Sequence, residues 1–300
     1  MPAHSRTAAV ALLIAINAAL VLCWSAGFIG IRFATAHAPI FLILFWRNLV
    51  SGLVLLPFAL TLGPRINRQD ALPHVLFGAL ALTTYLGGFA FAISRGVPTG
   101  LVALISDMLP LIVALLSWPV LGQALSARQW LGTCIGLAGV LLASGPSVRM
   151  GQVPLWAYAL PVLGTLCLAL AMLLQQRGRA RAMPMHQNVC LQSLSAAAIF
   201  AVVAWQEGGV RPILAPGFIG GILWLVFVAT LGAWAFYYLA LRQSSPARVT
   251  SVLYLSPPVV MLWAWVMFGE PLSWAMAGGL VVSLAGIVIV ARPGKVGRVG

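Results

Sequence analysis

Charged residues are rare along the chain, and long uncharged apolar stretches separate them. No charged residue lies within 71–94, 150–176 or 212–241. Each of these stretches exceeds the ~20 residues with which a helix crosses ~30 Å of hydrocarbon. The alternation typical of barrel strands is absent. The pattern therefore predicts an all-α integral membrane protein with ten transmembrane helices. The predicted spans are 8–33, 39–62, 72–93, 98–121, 129–145, 154–175, 185–205, 217–241, 246–268 and 273–291.

Proline and glycine lie at or near the predicted helix ends, where they interrupt helical structure. Pro39, Pro98 and Pro246 begin three of the spans, and Pro184 immediately precedes a fourth. The connections between spans are short, so we expect no extramembrane domain that could house separate chemistry.

Composition supports a lipid environment. Hydrophobic residues make up 62% of the chain and charged residues 7%, against about 25% charged residues in soluble domains. The cysteines all lie inside predicted spans, and we interpret them as small core residues rather than as disulfide or metal ligands. They are Cys23, Cys134, Cys167 and Cys190. The four histidines are scattered at span ends, so no metal site and no cofactor are predicted.

The net charge is +13, and the basic residues are distributed unequally between the two predicted sides of the membrane. If the N-terminus is cytoplasmic, twelve of the seventeen Lys and Arg residues lie on the inner side, four lie outside, and Arg47 is within a span. This bias follows the positive-inside rule. It predicts a multi-pass plasma (inner) membrane protein with both termini in the cytoplasm. We expect the basic face to contact anionic lipid headgroups. We do not expect it to bind nucleic acid.

An internal repeat relates the two halves of the chain. The stretch "VPTGLVALISDMLPLIVALLSWPVLGQALS", from residue 97, aligns with "SPARVTSVLYLSPPVVMLWAWVMFGEPLS", from residue 245. Gly122-Gln123 corresponds to Gly269-Glu270. The predicted repeats are residues 1–146 and 147–300. Because each holds five spans, an odd number, the second enters the membrane from the opposite side, as in many secondary transporters.

The stretch "CWSAGFIGIRFATAHAPIFLILFWRNLVSGLVLLP", residues 23 to 57, resembles the EamA family of the drug/metabolite transporter superfamily. Trp24, Arg32, Pro39 and Arg47 match that family's pattern. The resemblance implies ten helices, both termini inside, a central cavity lined by helices 1, 3, 4, 6, 8 and 9, and export of small metabolites, amino acids among them. Two positions depart from the family: Gln123 replaces a glutamate, and Asp107 stands where an uncharged residue is usual.

Asp107 and Arg47 are the opposite charges inside predicted spans, and both lie eight or nine residues from an outer helix end. At 1.5 Å per residue they reach a similar depth. A charge at that depth usually faces a cavity or a partner. Two interpretations remain open. Asp107 and Arg47 form a buried structural pair, or Asp107 faces the cavity and binds a substrate amine or a proton.

Further cavity candidates are aromatic or hydroxyl-bearing residues in the middle of spans, although packing against a neighbouring helix explains each equally well. They are Trp24, Ser25, Phe28, Tyr85, Trp234, Tyr237, Tyr254 and Ser256. Pro110 and the Pro257-Pro258 pair predict breaks at matching places in helices 4 and 9, where transporters often bind substrate. The small residues of "GTCIGLAG" and "GGLVVSLAG" predict close helix packing, inside the chain or in a dimer.

Together these features predict a secondary transporter that exports amino acids or similar amphipathic metabolites by alternating access, with proton coupling through Asp107 as one option. The alternatives are a downhill facilitator or channel and, remotely, an intramembrane enzyme. The expected partners are a small-molecule substrate and the lipid bilayer, and the expected assembly is a monomer or weak homodimer.

Overall fold

The computed structural model describes residues 3–123, 125–149, 153–177 and 183–291, and all regular secondary structure within them is helical. We number the helices in chain order. They are α1 (Ala3–Ala34), α2 (Ile40–Thr61), α3 (Arg68–Ser94), α4 (Thr99–Ser106 and Leu109–Leu121), α5 (Ala127–Arg149), α6 (Leu155–Arg177), α7 (Met185–Gln206), α8 (Pro216–Gln243), α9 (Pro246–Leu253 and Ser256–Phe268) and α10 (Trp274–Ala291).

Nine helices in the described ranges are long and apolar enough to cross a membrane. The apolar stretch of α10, Trp274–Val290, is shorter than the others. The prediction of an all-helical membrane protein is therefore confirmed. The tenth crossing stays a prediction.

Proline and glycine set the helix ends as expected. Pro39, Pro98 and Pro184 stand immediately before α2, α4 and α7 with extended ψ values of 142°, 130° and 140°. Gly122 and Gly269 end α4 and α9 in the left-handed conformation, with φ of 71° and 64°, which glycine adopts at least cost.

The backbone irregularities of the first half recur in the second. The helix α4 breaks at Asp107 and Met108, and α9 breaks at Tyr254 and Leu255. Each break begins three residues before the proline that predicted it. Pro110 and Pro257 lie in the first turn of the following helical piece. A proline is tolerated there because its missing N–H would have no partner within the helix. Wider π-helical turns interrupt α3 at Phe77–Leu82 and α8 at Trp224–Gly232.

The main helix pairs join one half of the chain to the other. They include α2 with α7, α5 with α10, α4 with α9, α3 with α6, and α1 with α8. The two halves of the chain are therefore packed against each other along most of their helices.

Paired helices run antiparallel. On α2 and α7, Gly52 faces Leu194, whereas Gln187, earlier on α7, donates to the carbonyl of Ala59, later on α2. On α5 and α10 the backbones themselves touch. A Cβ added at Gly139 would lie 2.6 Å from the carbonyl oxygen of Gly279. The small-residue faces are therefore used for packing inside the chain.

Candidate functional site

A cavity of about 140 Å³ lies among α1, α2, α3, α7 and α8. The family resemblance implied walls from α4, α6 and α9, but these helices do not line it. The reason is packing: α4 and α9 meet each other too closely, with Gly100 against Met261, and α6 lies behind α3, with the Leu160 carbonyl against Gly88. The lining residues are Trp24, Gly27, Phe28, Arg47, Asn48, Leu82, Tyr85, Leu86, Phe89, Val189, Gln192, Ser193, Ala229, Thr230, Ala233 and Trp234.

One side of the cavity is aromatic. Trp24 on α1 and Trp234 on α8 meet edge to face with ring centroids 6.1 Å apart. Phe89 on α3 contacts Phe28 at 5.0 Å and Tyr85 at 5.5 Å. Such contacts fix the rings in place, so this wall offers a preformed apolar surface to a ligand.

The cavity lining also contains polar residues and one buried charge. Arg47 is 9% exposed, and its Nε and Nη2 each donate to Oγ1 of Thr230 at 3.3 Å. The Thr230 hydroxyl in turn donates to the Leu225 carbonyl, 2.8 Å away, within the π-helical turn of α8. The third guanidinium nitrogen, Nη1, is buried and has no hydrogen-bond partner among the described residues.

Asp107 lies outside the cavity lining, at the break in α4. Its backbone N–H donates to the Ala103 carbonyl at 2.9 Å, and its buried Oδ2 has no hydrogen-bond partner in the described part of the chain. No ion pair joins Asp107 to Arg47. The side chain of Tyr85 is within electrostatic range of both residues. Tyr254, at the break in α9, is also within range of Asp107.

The predicted cavity residues divide into two groups. Trp24, Phe28, Tyr85 and Trp234 line the cavity, as does Arg47, which was predicted as a partner for Asp107. The remaining candidates, besides Asp107, are Ser25, Tyr237, Tyr254 and Ser256, which lie outside the lining.

Ser25 and Ser256 instead make a helix–helix contact. The buried Ser25 hydroxyl donates to Oγ of Ser256 at 3.2 Å, which ties α1 to α9. Tyr237 packs behind the cavity, with its ring 5.6 Å from that of Trp234. Adjacent helical residues point about 100° apart, so Trp24 and Ser25 face different neighbours.

Comparison with known proteins settles the family. The model of the EamA-like transporter family matches the chain twice, over residues 10–145 and 155–292. The chain belongs to the EamA-like transporter family. Its members are transporters, so the prediction that the protein is not an enzyme is confirmed.

Relatives and a solved structure share this EamA-like architecture along nearly their whole length. The uncharacterized inner membrane transporter YedA of Escherichia coli (strain K12) is 26% identical, covering 89% of this chain and 87% of its own. The probable amino-acid metabolite efflux pump of Salmonella typhimurium is 22% identical, covering 90% and 91%. A chain of known crystal structure has a TM-score of 0.59 at 19% identity, covering 93% and 96%. That likeness supports the fold.

Sequence reasoning missed the polar residues that this EamA-like cavity gathers beside Arg47. Asn48, Gln192, Ser193 and Thr230 all line it. A signal was available, because each is a hydrogen-bonding side chain in the middle of an apolar span, where such groups usually face the protein interior. No such signal in the sequence predicts the π-helical turn that contains Thr230.

Glu270 lies at the predicted outer end of the EamA-like fold and contacts residues of two other helices there. Its carboxylate accepts from the backbone N–H and hydroxyl of Thr99 at 2.7 and 2.6 Å and lies 3.4 Å from Nε of Arg32. The guanidinium of Arg32 also lies over the Phe268 ring. These contacts join α1, α4 and α9. Gln123, the equivalent of Glu270 in the first half, is exposed.

Proposed function

We propose that the protein is a secondary transporter that exports small amphipathic metabolites, amino acids above all, by alternating access. The observation that carries the proposal is the cavity itself. It lies between the two halves of the chain, and its lining combines aromatic rings with Arg47, Asn48 and Thr230. Ligand sites of this kind hold an apolar body and orient a polar head. The name of the Salmonella typhimurium relative points to the same substrates.

The two matches of the family model and the pairing of helices across the halves support ten crossings arranged as inverted five-helix repeats. Antiparallel pairing of α2 with α7 and of α5 with α10 is the arrangement that inversion of the second half produces. In this topology both termini are cytoplasmic and the basic residues are concentrated inside. The cavity is built within one chain, so a monomer suffices for transport.

Asp107 is the proposed coupling residue. Its Oδ2 is buried without a hydrogen-bond partner among the described residues, and Tyr254, at the break in the other half, is within electrostatic range of Asp107. Protonation at this junction would change a charge where the two halves meet, and alternating access needs that contact to change.

Transport by purified protein in liposomes tests the proposal. Wild type and Asp107→Asn are assayed for counterflow of radiolabelled amino acids and nucleosides, with and without a pH gradient. We expect saturable counterflow of amino acids that the gradient accelerates in wild type but not in Asp107→Asn, which should elute from size exclusion as wild type does. Flux without saturation or counterflow would replace the carrier with a channel. An unchanged gradient response in Asp107→Asn would exclude Asp107 as the coupling residue.

A further inference from the structure

The guanidinium of Arg47 is a buried charge with too few partners. An arginine carries five N–H donors and stays protonated in proteins. Two of the three nitrogens of Arg47 share one neutral oxygen, that of Thr230, and the third has no partner among the described residues. A charge buried within a membrane span is costly unless an opposite charge compensates it. Another group is therefore needed to complete this site.

The acidic side chains of the protein do not supply that group. The chain has four. Glu270 pairs with Arg32, Asp107 forms no ion pair with Arg47, Asp70 is in the first turn of α3, and Glu207 follows the last residue of α7. The counter-charge of Arg47 has to come from a molecule in the cavity.

The guanidinium is held in position before any ligand arrives. Thr230 accepts from Nε and Nη2, and its own hydrogen is committed to the Leu225 carbonyl at 2.8 Å. The wider π-helical turn of α8 makes that last bond, from residue 230 back to residue 225, and so turns the hydroxyl oxygen towards Arg47. A planar guanidinium fixed in this way suits a carboxylate, which it can bind through two hydrogen bonds.

The rest of the cavity defines the ligand further. Asn48, Gln192 and Ser193 line the cavity together with Arg47, and so do Trp24 and Trp234, whose rings meet edge to face. The volume of about 140 Å³ is close to that of an engineered cavity of ~150 Å³ that holds benzene. The space suits a branched aliphatic or small aromatic group.

We infer that Arg47 binds the carboxylate of the transported molecule, that Thr230 positions Arg47, and that the ligand class is small monocarboxylates with an apolar body. This inference rests on the proposed transport function and narrows its substrate. A carboxylate is the required group, and an amine is not.

Three molecules with one carbon skeleton test the inference: leucine, isocaproate, which lacks the amine, and isopentylamine, which lacks the carboxylate. Each is added to purified full-length protein, and the shift of the thermal unfolding midpoint is followed with concentration. Counterflow in liposomes is measured in parallel. We expect leucine and isocaproate to bind and to be transported, and isopentylamine to do neither.

Variants assign the effect to Arg47. Arg47→Gln should lower the affinity for isocaproate by about tenfold to a hundredfold, the loss expected for a charged hydrogen bond. Arg47→Lys keeps the charge without the planar fork and should recover part of it. Thr230→Val, which keeps the side-chain shape, should weaken isocaproate binding, and Thr230→Ser should restore it. The control Arg95→Gln removes an arginine that stacks on Phe91 at the far end of α3, and it should leave affinity unchanged.

Three outcomes overturn the inference. The first is unchanged isocaproate affinity in folded Arg47→Gln or, if that variant does not fold, in Thr230→Val. The second is binding of isopentylamine by wild type as tight as that of isocaproate. The third is no binding of either carboxylate. The proposed function fails separately: if isocaproate stabilises wild type but not Arg47→Gln while no compound is transported, the carboxylate site stands and the carrier does not.

Discussion

The buried side chain of Gln187, in the second half of the chain, donates hydrogen bonds to carbonyl groups at the end of α2, in the first half. Its Nε2 lies 3.0 Å from the carbonyl oxygen of Ala59, 3.3 Å from that of Leu62 and 2.9 Å from that of Pro64. The last carbonyls of a helix have no partners within it. The buried Ala59 lies in the last turn of α2, and Leu62 and Pro64 follow the helix. The side chain of Gln187 is 1% exposed, so water cannot replace it.

Replacing Gln187 by leucine should therefore destabilise the protein. Buried carbonyls that lose their donor cost about 1–3 kcal/mol, so we expect a clear fall in the thermal unfolding midpoint in detergent. Gln206→Leu, at an exposed position at the end of α7, is the matched control and should change it little. Equal midpoints for the two variants would show that the Gln187 contacts contribute nothing measurable.

The sequence identifies residues of the site better than it identifies their contacts. Arg47 and Asp107 stand out because charge inside an apolar span is expensive. The partners of these two residues depend on how α2, α3 and α4 are rotated about their own axes. A span that is apolar on all sides does not determine that rotation. For that reason the sequence left two interpretations of Asp107 open, a pair with Arg47 or a place in the cavity, and in the structure Arg47 contacts Thr230.

Helices α5 and α10 depend on glycine for their contact. A Cβ added at Gly139 would lie 2.6 Å from the Gly279 carbonyl oxygen and closer still to the backbone nitrogen of Ser283. In membranes, where lipid tails are as apolar as leucine, such close approach supplies van der Waals contact that drives helix association.

Gly139→Ala should push the two helices apart and lower the unfolding midpoint. Gly145→Ala is the control on the same helix, because a Cβ there would meet no atom within 4 Å. Alanine is also the better helix former by about 1 kcal/mol, so Gly145→Ala should be neutral or stabilising. Destabilisation by both variants to the same degree would argue against a specific α5–α10 contact.

At the scale of elements, apolar runs and breakers predict the helices well, and local irregularities less so. The breaks in α4 and α9 are marked by proline. The π-helical turns Phe77–Leu82 and Trp224–Gly232 contain no proline. They follow from packing against other helices, and Gly78, for instance, is pressed against the backbone of Gln192.

The topology of the whole molecule can be tested with two cysteines. In a variant without native cysteines, Gln69→Cys and Glu207→Cys place single thiols at exposed positions at the start of α3 and after the end of α7. With the N-terminus inside, a membrane-impermeant maleimide should label residue 207 in intact cells and residue 69 only after permeabilisation. The reverse pattern would invert the orientation, and labelling of both in intact cells would contradict an odd number of crossings between them.

The internal repeat is visible in the sequence because prolines and glycines recur at a fixed offset, and the antiparallel pairing of the halves follows from five spans in each. Neither the repeat nor the number of spans predicts which helices line the cavity. Both α2 and α7 line the cavity since glycine at position 52 lets them approach, and this closeness is a property of the assembled fold.

The pairing of helices across the two halves also has a consequence for biosynthesis. The surface of α2 around Gly52 and that of α5 around Gly139 are completed by α7 and α10, which the ribosome makes much later. Until then these surfaces face lipid or chaperones. Contacts between residues so distant in sequence form slowly, so we expect the docking of the two halves to be the last step of maturation, and incomplete chains to be recognised by membrane quality control.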